Sequence, residues 1–225
     1  LADGSEQWRW DPEEGQPATE RTELRLLYDD DALYVGVLLL DGEPGRIVKR
    51  LSRRDESAEA DRFSLYLDPR RDRLTGVRFE VSAAGVQNDE IIYNDTWMDD
   101  SWDAVWLSAV HHDAQGWSVE MRIPFSQLRF NTQELQQWGM NINRWRPGFN
   151  EDIYWVMIPR STSGFFSHFG TLEGMDNIVP SRRAEFIPYV AGTASMTGTQ
   201  TAGDPFDDGS EWEGRVGADF KVGLG

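Results

Sequence analysis

Two short stretches of this chain set polar side chains at alternate positions: Arg62 and Tyr66 in DRFSLYLD, and Arg78 and Glu80 in VRFEVS. A carboxylate beside a guanidinium, with a phenol nearby, can satisfy a polar ligand through charge-assisted hydrogen bonds. The same pair on a strand can equally be a weak surface ion pair. Asn143 and Arg144 in WGMNINR and Trp155 in NEDIYW would complete a polar pocket with an aromatic wall. A second concentration of chemistry is the acidic stretch holding Asp95, Asp99, Asp100 and Asp103. It reads either as a solvated loop or as a calcium site. Calcium takes about six to eight oxygens, so backbone carbonyls or Asp89 would have to join. Asp29, Asp30 and Asp31 make another acidic turn, which suits an Asx-rich hairpin and only weakly a cation.

No catalytic constellation stands out. His111 and His112 are adjacent, so on a strand they point to opposite faces, and His168 lies far along the chain. There is no serine–histidine–aspartate set, no glycine-rich phosphate loop and no carboxylate pair of glycosidase spacing. The absence of cysteine excludes disulfides, zinc–thiolate sites and cysteine nucleophiles together. We expect a non-catalytic protein. A net charge of −17 argues against nucleic acid and anionic membrane surfaces, since phosphate binding needs a basic footprint.

The elements that must position these residues are strands. Phe63, Leu65 and Leu67 alternate with the polar set, and Val77, Phe79 and Val81 do so after a charged turn from Pro69 to Leu74. Period-2 patterning of this kind means one face in a core and the other toward solvent or a ligand. The same alternation runs through Leu24–Tyr28, Leu33–Leu39, Trp102–Trp106, Trp117–Ile123 and Trp138–Ile142, with short strands around 153–156 and 168–172. Arg46–Arg54 could hold a short helix, and 124–128 resembles a single helical turn. Many short strands between turn signals predict an all-β fold: a two-sheet antiparallel β-sandwich of jelly-roll or immunoglobulin-like type. The expected division is an extended lead-in over 1–20, carrying Trp8 and Trp10, then the sandwich over 21–176.

Residues 181–225 differ in kind. Val216, Ala218, Phe220, Val222 and Leu224 alternate with polar residues and glycine, the pattern of an outer-membrane barrel strand. Phe186–Ala194 offers an earlier strand, joined by a loop over Thr197–Gly209. Two strands cannot close a barrel, so we expect the first strands of a longer β-barrel region. No apolar run reaches the roughly 20 residues of a membrane-spanning helix.

Six segments in order carry a resemblance: LLYDDDALYVGV, DRFSLYLDP, FEVSAAGVQND, WDAVW, GWSVEMRIPFSQLRF and WGMNINR. Together they resemble the family 9 carbohydrate-binding module-like domain, of the kind at the front of DUF5916 bacterial outer-membrane proteins. RRAEFIPYV resembles the start of the barrel segment of those proteins. The resemblance implies a sandwich, often with structural calcium, whose sugar-binding members clamp a sugar between two aromatics. It assigns the clamp to Trp155, with Trp97 or Trp102 opposite. Many members carry an acidic residue where this chain has Ser64. The implied function is a carbohydrate- or glycan-binding module of the bacterial cell envelope, associated with the outer membrane, with calcium as a possible ion. Alternatives are a domain docking on its own C-terminal barrel, or a haem-binding variant using Met98, Met140, Met157 or His168.

Overall fold

Phe63, Leu65 and Leu67 are fully buried. Each such side chain contributes roughly 1.5–3 kcal/mol by leaving water, which is why the alternating stretch must lie as a strand against a core. In the computed structural model, residues 6–56, 58–179, 184–196 and 210–222 are described. The chain divides into two units, Leu1–Ser181 and Arg182–Gly225.

The described residues of the first unit form twelve strands. They are β1 (Trp8–Asp11), β2 (Thr22–Tyr28), β3 (Ala32–Leu40), β4 (Arg62–Asp68), β5 (Gly76–Ser82) and β6 (Gln87–Tyr93). They continue as β7 (Trp97–Asp99), β8 (Leu107–Asp113), β9 (Gly116–Pro124), β10 (Leu135–Arg146), β11 (Glu151–Tyr154) and β12 (Gly170–Asp176). One sheet has the order β1-β11-β10-β4-β5-β6-β7, with β12 also paired to β10; the other is β2-β3-β9-β8. All the pairings are antiparallel. The apolar sides of β3 and β9 meet those of β4, β5 and β10 in one shared core. This is an all-β sandwich, and neither sheet closes into a barrel.

β10 is the long central element. Gly139–Trp145 pair with β4 along one side, while the other side is divided between β12 and β11. At that division Asn141 stands in for a missing strand: its Nδ2 donates to the Val156 carbonyl at 2.8 Å, and its Oδ1 accepts from the Val156 N–H at 2.9 Å.

Three local expectations are revised. The lead-in supplies an edge strand, β1, which pairs with β11. Residues 102–106 are extended but make no ladder, and the strand begins only at Leu107. Side chains take the ladder's place there. Asp89 accepts the Ala104 N–H at 2.5 Å, Arg54 donates to the Ala104 carbonyl at 2.8 Å, and Gln127 accepts the Val105 N–H at 3.0 Å. The stretch 46–54 holds no helix beyond a 3-10 turn at Pro44–Arg46. Its Val48 is bonded to Asp61 through both backbone and side chain, and Asp55 is bonded to Gln87 and Asp89. The turn expected at 124–128 is a 3-10 turn at Phe125–Gln127.

The second unit is one antiparallel hairpin of β13 (Ala184–Met196) and β14 (Ser210–Val222). Phe186 faces Phe220, Val190 faces Val216 and Ala194 faces Trp212 along one side. That side is open: Val190 and Val216 are 83% and 81% exposed. On the other side Tyr189 lies over Gly217, where any added Cβ would collide with its ring. The loop at 197–209 and Leu224 lie outside the described residues.

Candidate functional site

The face of β4 opposite the core is polar in sequence, yet Ser64, Tyr66 and Asp68 are all buried. Neighbouring strands explain this. In register, Ser64 lies between Glu80 on β5 and Asn143 on β10, and Tyr66 lies between Arg78 and Asn141. One row therefore crosses six strands as Trp8, Tyr154, Asn143, Ser64, Glu80 and Asn88. The row beside it holds Asp152, Trp145 and Arg62, and the row on the other side holds Tyr66, Arg78 and Glu90.

Glu80 is the hub. Its carboxylate accepts from the Ser64 hydroxyl at 2.7 Å and from Asn88 Nδ2 at 2.9 Å. Arg62 Nε stands 3.5 Å away and Arg78 3.6 Å away. Arg78 also donates to Glu90 at 2.7 Å. Burial alone would lower the Arg78 pKa, but Glu80 and Glu90 hold it above its ordinary value. Arg78 thus stays a fixed cation. Burial pushes the Asp152 carboxyl up, against the hydrogen bond from Asn143 and the charge of Arg62. Three atoms in this patch have no hydrogen-bond partner: Arg78 Nε, Asn88 Oδ1 and Glu90 Oε2.

Aromatic rings border this polar patch. The Arg62 guanidinium lies 5.6 Å from the Trp145 ring centre. Tyr66 is ringed by Phe165, Phe166 and Phe169 at 5.1–6.5 Å, and Phe165 also meets Tyr154. Those phenylalanines sit on the connection between β11 and β12, and Asp95 fastens it. Its carboxylate accepts from the Phe165 and Ser167 N–H groups and from the Ser167 hydroxyl, at 2.9–3.1 Å.

The structure brings Arg62, Tyr66, Arg78, Glu80 and Asn143 onto this face, and it leaves the other expected site residues elsewhere. Arg144 follows Asn143 on a strand, so it faces the other way. There it is buried, 3.4 Å from Asp41, beside Arg146, which lies 3.0 Å from Asp41 and 2.6 Å from Glu151. Burial, with Arg146 close by, lowers its pKa to about 10. Trp155 is correspondingly on the core side, packed over Gly170. Trp102 packs edge-on to Phe79, also against the core. Trp97 is 61% exposed on the edge strand β7, paired with Tyr93 and turned away from the Ile92 side.

The acidic residues also separate. Asp95 holds the phenylalanine connection, Asp99 accepts from Ser101 at 2.6 Å, Asp103 lies 3.8 Å from Arg54, and Asp100 is exposed. Among the described residues no three histidines or carboxylates gather as a metal site. Asp29 forms an Asx turn, accepting from the Asp31 and Ala32 N–H groups and from the Tyr34 hydroxyl. Met140 is in the core, Met98 on β7 and Met157 against Gly15, so the thioethers and His168 are dispersed.

Trp8, Trp145, Tyr154 and Asp152 escaped sequence reasoning. Trp145 carried a usable signal, because it alternates with Asn143 and so shares its face. Trp8 did not, since only the β1–β11 pairing puts it there.

The fold defines a class: two-sheet antiparallel β-sandwiches. No family model and no curated protein matches the chain. Among solved structures, a Bacteroides uniformis protein to which carbohydrate binding has been ascribed superposes with a TM-score of 0.57 at 14% identity, covering 76% of this chain and 87% of that one. A family 9 carbohydrate-binding module from Caldicellulosiruptor kristjanssonii in complex with glucose gives 0.52 at 19% identity, over 72% and 82%. The same organism's family 9 module with cellotriose gives 0.52 at 17%, over 74% and 83%. At these identities the likeness is one of fold.

Proposed function

We propose that the first unit is a non-catalytic carbohydrate-binding module that takes its ligand on the outer face of the larger sheet. The observation that carries this is the Glu80 patch: two arginines and a buried carboxylate, edged by Trp145 and Tyr154, on a fold shared with sugar-binding modules. A pyranose presents an apolar C–H face that suits an aromatic ring, while charge-assisted bonds suit its hydroxyls. The face holds polar and aromatic surface side by side in the arrangement that chemistry needs. The one hydroxyl hydrogen-bonded to a carboxylate on the β4–β5 strands, Ser64 to Glu80, is fully buried, which supports binding as the function proposed. The hairpin's open apolar side supports placing the chain in the bacterial cell envelope, with β13 and β14 as strands of an outer-membrane barrel.

Titrating the protein with a panel of neutral sugars while following tryptophan fluorescence tests this. Saturable quenching is expected. Arg62→Ala should weaken it roughly tenfold, the loss of one charge-assisted bond of about 1.4 kcal/mol. Its partly exposed side chain should leave the thermal midpoint almost unmoved. No quenching across the panel, or an unchanged affinity in the Arg62 variant, would overturn the assignment.

A further inference from the structure

The outer face of the smaller sheet takes no part in the Glu80 patch, which lies on the other sheet. β2, β3, β9 and β8 pair in register, so their outward side chains stand in rows. One row crosses the four strands as Leu27, Tyr34, Arg122 and Leu107. The leucines at its two ends are 72% and 64% exposed, although nothing polar requires them there. The next row holds Arg25 and Glu120 on either side of Gly36.

Gly36 is unexpected in the middle of a strand, where glycine gives up chain entropy and offers no side chain to pack. The usual reasons for it fail here. β3 pairs without a break along both sides, so there is no bulge. The backbone at Gly36 is not left-handed. An added Cβ would meet nothing nearer than the Arg25 carbonyl at 4.0 Å, an ordinary contact. A strand glycine that its own chain does not need marks close approach from outside.

Charge indicates what approaches. A chain of −17 repels its own copies wherever acidic surfaces meet. On this face Glu23 and Glu120 are balanced by Arg25 and Arg122, so the surface is neutral. We infer that a second copy of this chain docks here, related by a two-fold axis parallel to the strands. Such an axis sets β2 against the partner's β8 and β3 against the partner's β9, row on row. Leu27 then meets the partner's Leu107, and Tyr34 meets the partner's Arg122. Glu120 enters the space over the partner's Gly36, beside the partner's Arg25. Glu23, on the third row, meets the partner's His111. Both Glu80 patches stay open on the outside of the pair. The rows span about 14 Å in each direction, roughly 400 Å² per copy with their side chains. That is about half of what each side of a stable complex buries, so the pair is weak and reversible.

The chain has no cysteine, so introduced thiols report this geometry directly. Leu27→Cys and Leu107→Cys versions of the 225-residue protein are mixed in dodecyl maltoside, which covers the hairpin's apolar side, and oxidised with copper phenanthroline. The mixture should form a disulfide-linked dimer at least tenfold faster than either variant alone, because the axis sets Leu27 against Leu107 and not against itself. Gly36→Val in both proteins should remove that excess and raise the thermal midpoint by about 2–4 °C, since valine suits a strand better than glycine. Glu120→Arg, at an exposed position, should also slow the mixture, and it carries the test if the valine variant loosens the sheet. Equal rates in the mixture and in the single variants overturn the inference. So does an excess that survives both Gly36→Val and Glu120→Arg.

Discussion

At the scale of residues, Asp95 shows how an acidic side chain that suggests a metal ligand can instead be a fastener. Its carboxylate spends its lone pairs on two backbone N–H groups and a hydroxyl of the phenylalanine connection. Desolvation is the largest single influence and pushes its pKa up, but the hydrogen bonds together outweigh it and hold the pKa below the ordinary 3.8. The sign follows: Asp95 stabilises the connection above pH 3.8 and loses that contribution as pH falls through its lower folded value. Asp152, Glu90 and Asp89 are shifted up by burial and act in the opposite sense, so a global acid melt would blend the two. The local measurement is amide exchange at Phe165 and Ser167, referenced to Val119 in the core. Protection there should fall selectively below about pH 4, and Asp95→Ala should show the same loss already at pH 7. Equal protection in the variant would mean that the ring packing around Tyr66 holds the connection by itself.

At the scale of elements, the alternation of apolar residues made most of the sandwich legible, and parity explains where it misled. Phe63, Leu65 and Leu67 gave β4 and its outward Arg62, Ser64 and Tyr66 correctly, because a strand with one fully buried face admits no slip of register. Arg144 adjoins Asn143, and Trp155, which the resemblance assigns to the clamp, adjoins Tyr154; a single step along a strand moves each to the other face. Trp102, Ala104 and Trp106 alternate like a strand and bury the same side, yet the backbone hydrogen bonds go to side chains far away in sequence. Such bonds leave no periodic trace. Asp89 is central to them: besides the Ala104 N–H it accepts from the Trp106 indole at 3.2 Å, and it is paired with Arg54. Asp89→Ala should strand a buried N–H, an indole N–H and a guanidinium together. A loss of about 3–5 kcal/mol in urea unfolding is expected, with new exchange at Ala104 preceding global unfolding. A loss below about 1 kcal/mol would show that packing of Trp102 and Trp106 against Phe79 is sufficient to hold the segment.

At the scale of the whole molecule, the two units bury their apolar residues in different ways. The core clusters of the first unit lie entirely between Leu33 and Ile178. Among the described residues of the hairpin there is no such core: Phe186, Val190, Trp212, Val216 and Phe220 are each more than 60% exposed on one side. In water such a face is a liability of several kcal/mol, whereas in a bilayer the same face is the matched one. Its pattern also suits a membrane strand. Phe220 and Trp212 stand eight positions apart on β14, about 27 Å along a strand and about 20 Å in height once tilted by about 40°, with small residues and Val216 between them. Aromatics at both ends of an apolar band are how barrel strands meet the two interfaces. A charge placed at the middle of that band should then be costly, and one on the opposite side should not. Val216→Arg is expected to reduce flotation of the protein with phosphatidylcholine vesicles, consistent with about 2–4 kcal/mol at mid-depth. Arg215→Lys, on the other face, should float as the parent does. Urea unfolding of the sandwich, followed by its core tryptophans, should be the same in all three proteins, since Val216 belongs to neither core cluster. Undiminished flotation of the Val216 variant would remove the hairpin from the bilayer. It would leave the apolar side to be covered by protein instead.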